Sequence, residues 1–377
     1  MKSNVLITGG AGFIGSNLAL KLINQGYSVT VLDNLSEQIH GNPQTSSLYQ
    51  SIKDKVNFIQ GDVRIKEDWY KALKNQNIVV HLAAETGTGQ SMYEVQKYVD
   101  VNINGTALFL DYLVNEKHDV QKVIIASSRS IYGEGKYNCS VHGAVYPTER
   151  KEKDLLQSDF EPKCPLCNQT VNILPTDENS KIHPSSVYGI TKQNQEQMVL
   201  NVCKSIGIPA VAYRYQNVYG PGQSLKNPYT GILSIFSTQI RNGNNINIFE
   251  DGIESRDFVF IDDVVDATIM GIQNDEANDE VFNVGSGVAT TVMKVANTLK
   301  EFYQADITIT VSGNFRLGDI RHNFADLSKI KTKLGFEAQY DFETGVKQFV
   351  DWVKSQEVTE DNYSKSIEEM KAKGLFK

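Results

Sequence analysis

The chain has 377 residues, with 37 Lys plus Arg against 45 Asp plus Glu and a formal net charge of −8. That balance excludes the broad basic surface of a nucleic-acid-binding protein, so no nucleic-acid partner is expected and an anionic ligand must meet a local cationic site. Apolar residues at 40% exclude a disordered chain, and no apolar run is long enough for a bilayer, so no membrane partner is expected either.

The opening MKSNVLITGGAGFIG has a basic residue and then apolar ones, as a secretory leader does. Glycines interrupt it and no small-residue cleavage site follows, so it reads as a strand entering a tight turn. Four cysteines, Cys139, Cys164, Cys167 and Cys203, are too few for a disulfide framework in so long a chain, and a reducing cytoplasm is the expected home.

Short β-branched runs predict buried parallel strands at Val5–Thr8, Val29–Leu32, Val56–Ile59, Ile78–His81, Val123–Ala126 and Ala210–Tyr213. Between them, Asn17–Asn24, Val101–Val114 and Gln193–Ile206 carry apolar residues at helical spacing. This alternation predicts an α/β fold, a doubly wound parallel Rossmann-type sheet with a smaller C-terminal substrate-binding lobe. The expected division is a dinucleotide domain over residues 1–215 with 257–285 returning to it, and a substrate domain over 216–256 and 286–377. Residues 134–183 break the periodicity and read as an insertion. Thr359–Lys377 reads as a charged helical tail of unassigned purpose.

The first strand runs into TGGAGFIG, which sets Gly9, Gly12 and Gly15 where a turn opens a helix. Glycines there allow the turn, close approach of the backbone to a pyrophosphate, and close helix–sheet packing. Asp33 ends the second strand, where a carboxylate can bind both adenosine-ribose hydroxyls and repel a 2′-phosphate, so NAD is the expected cofactor. Asp62, closing VNFIQGD, is a candidate for the adenine amino group; the alternative is a solvated turn aspartate.

Tyr188-Gly-Ile-Thr-Lys192 puts a phenol and an ammonium on one helix face. An ordinary Tyr has a pKa of about 10, and both a Lys cation and an oxidised nicotinamide ring favour phenolate, which makes Tyr188 a usable base. Alone the pattern is common; after a nucleotide fingerprint and the strand end Ala126-Ser127-Ser128 it points to chemistry.

TGGAGFIG, HLAA at 81–84, SSRSIYG at 127–133, YGITK at 188–192, RYQNVYGPG at 214–222, ESRDFVFIDDVVDA and RLGDIRHNFAD together resemble the extended short-chain dehydrogenase/reductase family, in its nucleotide-sugar epimerase and dehydratase branch. The resemblance implies a catalytic triad of Ser128, Tyr188 and Lys192. It implies cofactor contacts from Gly9, Gly12, Phe13, Ile14 and Gly15, from Asp33 and Asn34, from Asp62 and Val63, and from Leu82, Ala83 and Ala84. It implies substrate contacts from Glu85, Thr86, Ser128, Arg129, Asn217 and Asn323, with Arg256 and Arg316 gripping a nucleotide diphosphate through guanidinium forks.

Sugar-nucleotide 4,6-dehydratases of this family carry Asp-Glu directly after the hydroxyl residue, and here those positions are Arg129 and Ser130. Epimerisation at C4, by transient oxidation to a 4-keto sugar and reduction on its other face, is the leading expectation. Glu85 stays open between a dehydratase-like feature and a simple ligand for a sugar hydroxyl. Gln216 stands where relatives usually have Phe. ETGTGQSMYE, SSRSIYGEG and a cysteine-bearing insertion resemble enzymes that act on dTDP-L-rhamnose at C4. A UDP-hexose 4-epimerase, a dehydratase or ketoreductase, and a non-catalytic sensor of NAD or a sugar nucleotide are the alternatives. The family also implies a homodimer through the helices at 95–115 and 188–204.

The stretch from Ser128 to Tyr188 is longer than the family fold requires. It holds Cys139-Ser-Val-His142 and Cys164-Pro-Leu-Cys167, two pairs that can bite one tetrahedral ion, so a structural Cys₃His zinc site stapling a flap is expected. The alternative is a set of reduced thiols in a loop.

Overall fold

The computed structural model describes residues 3–377 apart from 228, 230, 359, 360 and 362. Thr359, Glu360 and Asn362 of the expected tail lie outside the described residues.

Seven parallel strands form the central sheet: β1 (Asn4–Thr8), β2 (Ser28–Asp33), β3 (Asn57–Gln60), β4 (Ile78–His81), β5 (Lys122–Ser128), β6 (Ala210–Tyr215) and β7 (Val281–Val284), in the order β7-β6-β5-β4-β1-β2-β3. Alternate side chains of one strand go to opposite faces. Val5 and Ile7 join one apolar core while Leu6 joins the other, and Val80, Ile124 and Val211 repeat the split against Val79, Val123 and Ala210. Both faces are therefore covered by helices, which is why these strands read as continuous apolar runs. Each such side chain, fully buried, contributes on the order of 1.5–3 kcal/mol.

The strand order reverses between β1 and β4, and ligands bind at such a switch point, beyond the carboxyl ends of the strands. There β1 turns into helix α1 (Phe13–Asn24), β4 into the loop 82–87, and β5 into Ser128. Helix α2 (Gly105–Asn115), with a π-helical turn Val99–Asn104 before it, packs beside helix α3 (Val187–Ser205) over the second core.

The smaller lobe is built on Asn217–Tyr219, Ser255–Phe260, Ala289–Thr291 and His322–Asn323 paired in one sheet, with Ile246–Ile248 parallel to Ile309–Val311. Strand Ser255–Phe260 straddles the boundary expected at residue 257, since it leaves the small sheet and runs directly into helix α4 (Ile261–Gln273) against α1. The insertion folds as a three-stranded sheet of Tyr137–Cys139, Gly143–Val145 and Asn172–Ile173. The tail forms helix Tyr363–Ala372. Among the described residues no helix is long and apolar enough to cross a membrane.

Candidate active site

Two cavities meet at the carboxyl ends of the strands. The first, of about 340 Å³, is lined by Gly9, Gly12, Phe13, Ile14 and Gly15, by Asp33, Asn34 and Val63, and by Leu82, Ala83, Ala84, Tyr188 and Lys192. Its shape is set by close approach of backbone to backbone. Gly9 has φ 66°, and a Cβ on it would lie 2.9 Å from the Ala83 backbone; one on Gly15 would lie 2.5 Å from the Gly9 carbonyl. No side chain caps the start of α1, which leaves its first-turn N–H groups for an anion.

Thr8 Oγ1 pairs with His81 Nδ1 at 2.6 Å and accepts from Ala83 N–H at 3.2 Å, which fixes the loop after β4. Asp33 accepts from the N–H groups of Ala11 and Leu35 at 3.0 and 2.9 Å, so its carboxylate is held at the cavity edge. These features fit a dinucleotide: an acid for a ribose, free helix N–H groups for a pyrophosphate, and a buried Lys at the far end.

The second cavity, of about 400 Å³, lies between the lobes and includes Thr86, Arg129, Asn217, Arg256, Arg316 and Asp319. Thr86, Ser128, Tyr188 and Gln216 line both cavities. Ser128 and Tyr188 are brought together by the start of α3. Ser186 caps it, accepting from Gly189 N–H at 3.1 Å, and a Cβ on Gly189 would lie 2.7 Å from the Ser130 carbonyl, so only glycine lets the helix seat against the turn after β5. Ser128 Oγ accepts from Ser130 N–H at 3.1 Å, and Ser128 and Tyr188 share the walls of both cavities.

Burial raises the Tyr188 pKa, and the nearby Ser128 hydroxyl and the Arg129 charge pull it back. Burial also pushes the Lys192 ammonium down to about 7, against the charge of Glu196. Its Nζ donates to Gln195 Oε1 at 2.7 Å. Burial, with the charge of Arg256 adding to it, pushes Arg129 down to about 9, so it is still a cation at neutral pH. Burial would raise Asp319, but Arg316, Arg256, Arg150 and Arg129 outweigh it and hold the carboxyl below its ordinary range. Arg129 Nη1 and Arg316 Nε are buried without a hydrogen-bond partner. Glu250, Glu254 and Asp319 line this cavity together with Arg129, Arg256 and Arg316, and Arg129 Nη1 and Arg316 Nε, which have no protein acceptor, are donors that an anionic ligand can satisfy.

Three expected contacts fall elsewhere. Asp62 lines neither cavity because Arg64 takes its carboxylate at 2.9 and 2.7 Å and Asn34 donates to it at 3.0 Å; although burial opposes, these bonds hold it at about 2. Asn323 is fully buried and also lines neither, because the start of the insertion crosses it at Gly135. Glu85 opens on the dinucleotide cavity rather than the second one, 3.3 Å from Lys97.

Other lining residues carried no signal that the sequence reading used. His40 is buried 3.7 Å from Asp33. Tyr363 and Met370 of the tail helix form part of the second cavity's wall, and Tyr229 Oη donates to Glu369 at 2.6 Å to hold that helix in place. Gln216 was visible only as a departure from relatives; its buried amide has no protein partner. Cys139, His142, Cys164 and Cys167 converge in the insertion, and none of them lines either cavity.

Residues 5–155 and 167–285 match the NAD dependent epimerase/dehydratase family. A dTDP-L-rhamnose 4-epimerase from Burkholderia thailandensis is 36% identical over 356 residues, 93% of this chain and 95% of the relative. A putative UDP-glucose 4-epimerase from Methanocaldococcus jannaschii is 31% identical over 94% of this chain and 100% of its own length. The crystal structure of UDP-glucose 4-epimerase from Thermotoga maritima with UDP-glucose superposes with a TM-score of 0.76 at 31% identity, over 93% of this chain and 98% of that one. That of UDP-glucuronic acid 4-epimerase from Bacillus cereus, with UDP-glucuronic acid and NAD, gives 0.76 at 26% identity over 93% and 99%. With the motifs, the sheet and the paired cavities in agreement, the chain belongs to the NAD-dependent epimerase/dehydratase family.

Proposed function

We propose that this enzyme is an NAD-dependent nucleotide-sugar 4-epimerase and that its substrate is dTDP-L-rhamnose or a related nucleotide-linked 6-deoxysugar. The observation that carries the reading is that Ser128 and Tyr188 line both cavities, one suited to a dinucleotide and the other lined by Arg129 and Arg316, each of which keeps one buried nitrogen without a hydrogen-bond partner. NAD, when bound, supplies a hydride acceptor that becomes the donor for the return step.

Tyr188 takes the O4 proton as C4 is oxidised and returns it when C4 is reduced on the opposite face. Ser128 donates to the same oxygen, its own lone pair being engaged by Ser130 N–H. Lys192, buried one helical turn on, holds the ribose and lends positive charge to the phenolate. Arg129, Asn217, Arg256 and Arg316 grip the diphosphate, which anchors the substrate while the keto sugar turns over. The apolar end at Ile248 and Phe249 suits a pyrimidine base. A dehydratase reading has no acid–base pair after Ser128, since Arg129 is held there by Asn217 at 2.7 Å.

The 36% identity to the Burkholderia enzyme favours the rhamnose substrate, and the relatives that act on UDP-sugars make a UDP-hexose the second reading. Incubation with a panel of dTDP- and UDP-sugars, with products identified by NMR, tests it; no C4 epimer from any of them would reject the assignment. A homodimer through the helices around 95–115 and α3 accords with Val95, Val114 and Ile190, which are exposed there. Free cysteines accord with a cytoplasmic setting.

A further inference from the structure

Cys139, His142, Cys164 and Cys167 each turn one ligand atom inward, and these atoms all lie within 4.8 Å of one another. The backbone brings them there in two tight turns. Strand Tyr137–Cys139 pairs antiparallel with Gly143–Val145 in the register Cys139↔Gly143, so His142 returns opposite Cys139. In the second turn Cys164 N–H donates to the Gln169 carbonyl at 2.8 Å, and Asn168 N–H donates to the Cys164 carbonyl at 2.9 Å, which folds Cys167 back over Cys164.

We propose that these four residues bind one structural zinc ion that pins the insertion against the nucleotide-sugar cavity. A tetrahedral zinc with bonds of about 2.3 Å to sulfur and about 2.05 Å to nitrogen has S···S edges of about 3.8 Å and S···N edges of about 3.6 Å. Cys139 Sγ lies 3.7 Å from Cys167 Sγ and 3.5 Å from His142 Nδ1, and Cys164 Sγ lies 3.6 Å from His142 Nδ1. Three edges of the tetrahedron are therefore already at their metal-bound length.

Packing alone does not account for the convergence. The apolar residues at the tips of the two turns, Val141 and Leu166, are exposed, so they take no part in drawing the turns together. The insertion's own core is Tyr137, Cys139, Val145, Cys164 and Val171 with Cys167 and Ile173 beside it, so three of its members are ligands. A module this small needs a staple. Four protein ligands leave no open position, which makes the ion structural rather than catalytic. The family match breaks between residues 155 and 167, so Cys164 stands outside what the family shares.

The module reaches the cavity wall through charges set beside the ligands. Glu161 takes the Arg321 guanidinium at 3.0 and 2.7 Å. Arg150, between the two ligand pairs in sequence, donates to Glu250 at 2.8 Å and to the Asp319 carbonyl at 2.9 Å. Glu250 and Asp319 both line the second cavity. Loss of the ion should loosen that wall and leave the dinucleotide cavity unaffected.

The test is elemental analysis of full-length protein purified without chelator or metal-affinity resin, together with titration by an organomercurial in the presence of a zinc indicator. The expected result is about one zinc per chain, released as three of the four thiols react, and lost in a folded Cys164→Ser, Cys167→Ser variant. If that variant does not fold, exchange of the wild-type ion for Co²⁺ should give the visible absorption of a tetrahedral cobalt thiolate. Native protein that holds no zinc, with the three insertion thiols reacting freely, overturns the proposal; so does zinc that stays bound in the folded double variant.

Discussion

Arg129 Nε donates to Asn217 Oδ1 at 2.7 Å, which ties the turn after the serine strand to the first strand of the smaller lobe. The same guanidinium keeps Nη1 buried and unpartnered toward the second cavity. Charge-assisted hydrogen bonds are worth about 1.5–3 kcal/mol, so Arg129→Gln should raise the KM for the nucleotide sugar about 10–100-fold with a smaller effect on kcat. Steady-state kinetics checks this, and an unchanged KM would remove Arg129 from the binding site.

Tyr188→Phe removes only the proton acceptor. Turnover should fall about 10²–10⁴-fold while NAD and nucleotide affinities stay near wild type. Single-turnover kinetics and cofactor titration together distinguish this from a folding defect, which would lower all three.

Asp33 presents its carboxylate at the cofactor cavity with both oxygens already fixed by backbone N–H groups. A 2′-phosphate would meet a like charge that cannot swing away, so NAD should bind at least about ten-fold tighter than NADP, and Asp33→Ser should narrow the gap. Calorimetric titration of cofactor-free protein is the measurement, and equal affinities would contradict it.

Burial lowers the His81 pKa to about 3, with the charge of Lys192 adding to it. Between roughly pH 6.5 and 3 the unfolded chain binds a proton on this ring and the folded protein does not. Stability from this group is therefore complete above about pH 6.5 and is lost on acidification, by at most about 1.4 kcal/mol per pH unit. Glu134 and Glu254, raised by burial to about 7, act in the opposite direction. His81→Gln should flatten the acid loss relative to wild type in urea unfolding at pH 7, 6 and 5; parallel profiles would show that His81 does not contribute it.

The sheet was legible because its strands are buried on both faces, so Val5–Thr8 and Ile78–His81 announce themselves as unbroken apolar runs. The glycine turn and the Tyr-x-x-x-Lys helix were legible because their spacing is fixed by local backbone geometry. What was not legible depends on which partner each side chain takes in the folded chain. Asp62 is paired with Arg64, two residues on, a contact that the motif around it does not announce. Asn323 was covered by the insertion at Gly135. The tail helix has no motif, and its place on the cavity wall follows only from contacts such as Tyr229 with Glu369, far apart in the chain.

In a 4-epimerase of this kind C4 loses a hydride to the cofactor and receives the same hydride back within a single site. Holoenzyme should be incubated, without added cofactor, with dTDP-L-rhamnose deuterated at C4, and the products followed by NMR. The expected product is a C4 epimer that keeps the deuterium at C4, with no net NADH. Epimer formed with loss of that deuterium, or a ketone accumulating alongside NADH, would contradict it.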